Sequence, residues 1–275
     1  MSISIGSNLM GAEKSKSEGI KFSDKKGDLK IGILNLMPFK DEIEYQFFNV
    51  LGRYKERVEV EFLYPFSHTS KNSSMDYIRD NYYPLSDIAD RGYHGIIVTG
   101  APLEELPFEE VSYWEELDNF IKTNSTPSIY ICWGAQSALY SKYGIDKHPL
   151  DKKLFGIYEH KNYSNPFISG DFLAPHSRNT YNKKECIEYA GLKVLNYSDE
   201  AGVYICSSSD YRDIFISGHG EYQRDRLKYE YDRDKKNLPC NYFPEDNPSV
   251  EPVLTWDSHR EEFYKKWLDF IRSRG

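Results

Sequence analysis

Cys132 stands where an apolar run gives way to a glycine, in "YICWGAQ" at residues 130–136, a setting in which a thiol can work as a nucleophile. The residues before it, "SIYI", read as a short buried strand, and those after it, "AQSALYSKYG", as a helix closed by Gly144. A sharp strand-to-helix turn lifts a side chain out of its sheet, and Gly134 lets the backbone turn there without a Cβ clash. The first N–H groups of the helix and its positive dipole end then favour a thiolate. A lone cysteine at a strand end is more often a small buried hydrophobe, so the weight falls on what else the chain supplies. "FISGHGEY", residues 215–222, is a strand that runs into small residues and delivers His219 and Glu221. An imidazole with a carboxylate beside it is a general base whose tautomer the carboxylate fixes. With Cys132 these residues make a Cys-His-Glu triad, equipped for catalysis through a covalent intermediate.

Such a triad needs strand ends to stand on. "LKIGILNL" (29–36) and "VEVEFLY" (58–64) read as strands, and between them "DEIEYQFFNVLGRY" places Ile43, Phe47, Val50 and Leu51 at helical spacing before Gly52. The pattern repeats with "GIIVTG" (95–100), a helix in "VSYWEELDNFIK", and the strand and helix around Cys132. Strands alternating with helices predict a mainly parallel sheet covered on both faces, in which ligands sit beyond the carboxyl ends of the strands. "GVYICSS" (202–208) and "DIFISG" (213–218) are expected to pair, followed by a charged helix near 225–236 and an amphipathic C-terminal helix with Phe263, Trp267 and Phe270 on one face. Residues 1–28 are polar and rich in Gly, Ser and Lys, and read as an arm with little fixed structure of its own; residues 29–275 read as one catalytic domain.

Composition narrows the partners. The chain has 275 residues, 39% of them hydrophobic, enough to bury a core, and a net charge of −8 from 43 acidic and 35 basic residues. That balance argues against nucleic acid and anionic membrane as main partners and points to small molecules. No apolar stretch is long enough to span a bilayer and the opening residues lack the apolar core of a signal peptide, so the expected location is the cytoplasm. Cys132, Cys186, Cys206 and Cys240 are widely separated with no C-x-x-C pair, which suggests neither a metal site nor a disulfide framework.

"ILNLMPFK", "VTGAP", "FEEVSYWEELD", "YICWGAQSALY", "LFGIYEH", "APHSR", "EAGVY", "GHGEY", "YEYDRD" and "NYFPEDNP" succeed one another from Leu29 to the C-terminus. The succession resembles the cysteine-dependent homoserine O-acyltransferases of methionine biosynthesis, most closely those that use acetyl donors. The resemblance implies a flavodoxin-like, class I glutamine amidotransferase-like three-layer α/β fold. It further implies Cys132 as nucleophile, His219 as base and Glu221 as its orienter. Lys40, with the N–H of Trp133, would stabilise the oxyanion; Lys153, Ser177, Glu230 and Arg233 would bind substrate, Glu230 and Arg233 offering an anion and a cation to an amino-acid acceptor. Glu104 matches a family switch at which glycine goes with succinyl donors and glutamate with acetyl donors, since the glutamate fills the volume of a succinyl tail and repels its carboxylate. Acetyl-CoA and L-homoserine are the implied substrates, no resident cofactor or metal is needed, and a homodimer is compatible with the sequence. Ile43, Asn49, Gly220 and "WDSH" (256–259) depart from the family pattern, which leaves serine or a related amino alcohol open as the acceptor; a succinyl donor is a separate alternative. A glutamine amidotransferase would share the triad, and a non-catalytic binding protein could share the scaffold.

Overall fold

The computed structural model describes residues 2–6, 8–68 and 73–274. Its first elements are β1 (Ser2–Ser4), α1 (Met10–Ser17) and β2 (Phe22–Ser23). The expected alternation comes next: β3 (Leu29–Leu34), α2 (Lys40–Leu51), β4 (Arg57–Tyr64), α3 (Met75–Asn81), β5 (Tyr83–Pro84), β6 (Gly95–Val98), α4 (Trp114–Thr123), β7 (Ser128–Ile131) and α5 (Trp133–Tyr143). β3 pairs in parallel with β4 and β6, and β6 with β7. β6 and β7 are buried at every residue, as strands covered on both faces must be. Side chains alternate between the two faces: Ile31, Ile33 and Ile97 pack with Phe47, Phe48 and Trp267, whereas Leu34, Ile96 and Val98 pack with Leu117, Ile121 and Leu139.

The arm is a correction to the sequence reading. Residues expected to carry little fixed structure extend the sheet, β1 lying parallel to β4 with Ile3 opposite Val58 and fully buried. Helix α1 lies against α2 so closely that a Cβ on Gly11 would come 2.5 Å from the backbone nitrogen of Tyr45. The segment's polar composition hides this, because among its described residues only Ile3, Leu9 and Ala12 supply buried apolar anchors.

The second half contains β8 (His148–Asn162), β9 (Phe172–Tyr181), α6 (Lys184–Tyr189), β10 (Lys193–Ser198), β11 (Gly202–Ser207), β12 (Asp213–Ile216), α7 (Arg226–Asp234) and α8 (Asp257–Arg272). As expected, β11 and β12 pair, and they do so antiparallel. The full order is β2-β1-β4-β3-β6-β7-β12-β11-β10-β8-β9, with β5 beside β4. Strand β12 joins β7 in parallel, Ile216 opposite Ile131. Two strands that point the same way and end side by side bring the residues beyond their ends together, Cys132 after β7 and His219 shortly after β12. The antiparallel pair β8–β9 forms an arm of its own at the far end of the order.

Candidate active site

Cys132 has φ 51° and ψ −117°, a left-handed conformation that a non-glycine residue adopts at a cost of about 1–3 kcal/mol. The surroundings hold it there: its N–H donates to Ile216 O at 2.7 Å and its carbonyl accepts from Gln136 N at 3.0 Å. Gly134 is required, since a Cβ would stand 2.5 Å from Thr99 O. Gly100, just past β6, is closed in by the site itself: a Cβ there would lie 3.3 Å from Cys132 Cβ and 3.8 Å from His219 Cε1. The backbone of three neighbouring strands thus fixes the thiol where the sequence placed it, at a sharp turn before a helix.

His219 donates its backbone N–H to Pro175 O at 2.9 Å, and its ring stacks on Tyr222 with centroids 4.2 Å apart. Nδ1 donates to Glu221 Oε1 at 2.7 Å, which fixes the tautomer and turns Nε2 away from the carboxylate. Both side chains are buried. Burial by itself lowers the imidazole pKa; the Glu221 carboxylate and the Cys132 sulfur, each also a hydrogen-bond partner, more than reverse this and raise it above the ordinary histidine range. Cys132, His219 and Glu221 therefore come together as the sequence led us to expect.

A cavity of about 710 Å³ opens over Cys132 and His219. Lys153, Ser177, Glu230, Arg233 and Glu104 all line it. Glu230 is deeply buried at its centre of charge: Ser177 Oγ donates to Oε2 at 2.6 Å, Lys153 Nζ approaches the same oxygen at 3.3 Å, and Tyr222 OH donates to Oε1 at 3.3 Å. Burial raises its carboxyl pKa, but Arg226, Ser177 and Lys153 together pull it below the ordinary value. Arg233 is half exposed and donates from Nε and Nη2 to both oxygens of Asp234, at 2.6 and 2.8 Å. Glu104 is pinned to β9: its Oε2 accepts from the N–H of Asn179 at 2.9 Å and its Oε1 from Thr180 Oγ1 at 3.2 Å. It is a fixed part of the wall.

Lys40 and Trp133 lie outside this lining. Lys40 comes directly after the cavity-lining Met37, Pro38 and Phe39, but it is buried and its Nζ donates to Asn35 O at 2.7 Å. Desolvation lowers its pKa to about 8, with Glu44 opposing. Trp133 is the first residue of α5, so its N–H belongs to a first turn that has no intrahelical acceptor. Arg226 lines the cavity and escaped the sequence reading. The signal was present, for Arg226, Glu230 and Arg233 are spaced by four and three residues, one face of a helix. Of the departures from the family pattern, Asp257 accepts from Arg53 Nη1 at 2.9 Å and from Arg260 Nε at 2.8 Å, and Arg260 Nη1 in turn donates to Tyr222 O, directly after Glu221.

Residues 8–274 match the family described as HTS, homoserine O-succinyltransferase. "Homoserine O-acetyltransferase 2" of Ilyobacter polytropus is 60% identical over 97% of this chain and 94% of its own. "Homoserine O-acetyltransferase" of Brevibacillus brevis is 43% identical over 88% of this chain and 84% of its own. Among solved structures, a glutamine amidotransferase from Methylobacillus flagellatus superposes with a TM-score of 0.58 at 14% identity, over 88% of this chain and 94% of that one. Another from Thermotoga maritima gives 0.55 at 11% identity, over 90% and 97%. These likenesses are of fold: a class I glutamine amidotransferase-like α/β architecture.

Proposed function

The chain belongs to the homoserine O-succinyltransferase family of acyltransferases, and from that premise we propose that it transfers acetyl from acetyl-CoA to the hydroxyl of L-homoserine, through a thioester on Cys132, for methionine biosynthesis. The Cys132 thiolate attacks the acyl-CoA carbonyl, and the His219 imidazolium gives its proton to the departing CoA sulfur. Esterification removes the sulfur's negative charge, one of the influences that raise the His219 pKa. The imidazole is then neutral and takes the proton of the homoserine hydroxyl, whose oxygen attacks the thioester. Collapse releases O-acetyl-L-homoserine and restores thiolate and imidazolium. Glu221 holds the imidazole in the tautomer that both steps use.

The N–H of Trp133 is suited to the oxyanion, with Lys40 behind the wall adding positive charge. Lys153, Ser177, Glu230 and Arg233 are the acceptor side of the cavity. CoA is a substrate, so the proposed reaction needs no resident cofactor or metal, and water must be kept from the acyl-enzyme between the two steps. Among the described residues no helix is long and apolar enough to cross a membrane; we place the reaction in the cytoplasm with its CoA substrate.

One observation carries the donor choice: Glu104 is fixed to the β9 backbone with its carboxylate in the cavity wall. A succinyl tail would meet both its bulk and its charge. The names of the two relatives, both acetyltransferases, point the same way. A mass-spectrometric panel of acetyl-CoA and succinyl-CoA against homoserine and serine tests the proposal. O-acetylhomoserine should dominate. Preferred O-acetylserine, a succinyl product, or glutamine hydrolysis without CoA would each overturn it.

A further inference from the structure

The acceptor side of the cavity holds a cation to which no role has been given. Arg226 begins α7, is 9% exposed and lines the cavity. Among the described residues its Nε has no hydrogen-bond partner, and it forms an ion pair with Glu230, Nε to Oε1 at 3.3 Å. A guanidinium carries five donors in a rigid fork and is expensive to bury without acceptors. The neighbouring charges do not satisfy it. Glu230 already accepts from Ser177 and Tyr222 and pairs with Lys153, so this one buried carboxylate is shared between Lys153 and Arg226, with the Glu42 carboxylate also acting on Arg226. Arg233, seven residues on along the same face, has its fork closed on Asp234.

We propose that Arg226 receives the carboxylate of the amino-acid acceptor, sharing it with Arg233, and so selects hydroxy amino acids over simple amino alcohols. The inference rests on the acyl-transfer reaction proposed for this site. Position decides between the two anions at hand, the acceptor's carboxylate and the phosphates of CoA. Arg226 lies 5.5 Å from the Tyr222 ring, and that ring stacks on the catalytic imidazole. In homoserine the carboxylate is a few bonds from the reacting hydroxyl, whereas the whole pantetheine arm separates the CoA thioester from its phosphates. An anion bound this near the base belongs to the acceptor. Binding would give the guanidinium, whose Nε lacks a hydrogen-bond partner, a planar two-oxygen partner of matching geometry.

The test compares two acceptors, homoserine and aminopropanol, which is homoserine without its carboxylate, in the wild type, Arg226→Met and Arg226→Lys, with enzyme acylation followed separately. Arg226→Met should leave acylation by acetyl-CoA within about threefold, raise KM for homoserine at least roughly tenfold, and shrink the preference for homoserine over aminopropanol by a similar factor. Arg226→Lys, which keeps the charge without the fork, should recover part of both. Equal losses with the two acceptors would show a structural role and overturn the inference. So would a loss with acetyl-CoA that is absent with acetyl-pantetheine, which lacks the nucleotide phosphates; that would make CoA the source of the anion. A wild type that does not acetylate homoserine contradicts the proposed reaction itself and takes this inference with it, a result seen before any variant is made.

Discussion

Where β7 and β12 end, main chain positions the proposed chemistry: a strained φ at Cys132, its N–H bound to Ile216 O, the His219 N–H bound to Pro175 O, a glycine at 134 that no larger residue fits and another at 100 where a Cβ would press on Cys132. Across the cavity, on β8, β9 and α7, side chains position one another, with Glu104 tied to Asn179 and Thr180 and Glu230 ringed by Ser177, Lys153, Tyr222 and Arg226. The contrast separates two jobs. Backbone geometry fixes the atoms proposed to react and leaves little room for substitution. A wall of side chains can exchange a residue, and with it a substrate, while the elbow stays as it is. Changes on the first side should therefore stop the reaction, and changes on the second should redirect it.

The largest effect is expected from Cys132→Ala, which should lower steady-state turnover by roughly 10⁴-fold or more with the fold retained. Appreciable activity in that variant would place the nucleophile elsewhere and erase the contrast. Glu221→Gln comes next. It keeps the shape but removes the charge, and should lower kcat by about 10²–10⁴-fold. Since the carboxylate is the strongest influence raising the His219 pKa, that pKa should fall in the variant, so the imidazolium loses its proton at lower pH than in the wild type. It should fall in Cys132→Ala as well. Histidine resonances followed by NMR across a pH titration read both shifts, and a titration that does not move would mean that neither partner faces the ring.

On the opposite wall, Glu104→Gly should keep acyl transfer and shift the ratio of kcat/KM for succinyl-CoA over acetyl-CoA upward by at least about tenfold, from lost bulk and lost repulsion. A variant that loses both donors alike would assign Glu104 to the framework of β9. The smallest effect is on stability alone. Gly11→Ala drives a methyl into the backbone of α2 and should destabilise the fold by about 1–3 kcal/mol, read as a lower denaturant midpoint, with kcat/KM unchanged in buffer. An unchanged midpoint would show that the N-terminal elements are not packed on α2 as described.

The juxtaposition of Cys132, His219 and Glu221 was legible because the sequence changes character where they sit: apolar runs end, small residues begin, and the proposed nucleophile or base comes at once. Parallel strands buried on both faces advertise themselves in the same way, which made β3, β6 and β7 readable. The hairpin of β8 and β9 did not, since much of β8 faces solvent and its stretch "HPLDKKLF" carries no steady alternation. Its residues Lys153 and Ser177 came forward through family motifs alone. Arg226 was missed although its spacing to Glu230 and Arg233 was in plain view; a charge on a helix face is usually solvated, and only the fold shows that this face looks inward. The arm was misjudged for a related reason. A few buried apolar residues, Ile3, Leu9 and Ala12, and two closely packed glycines, Gly11 and Gly27, dock it, too few to stand out in a polar segment.

The central claim is that the acyl group rests on Cys132 between the two half-reactions. Enzyme mixed with acetyl-CoA and no acceptor, digested and read by mass spectrometry, tests it most directly. One acetyl mass should appear on the peptide holding Cys132 and disappear when homoserine is added. Acetyl on the exposed Cys186 or Cys240 or on the buried Cys206, or turnover with no acyl-enzyme at all, would contradict it.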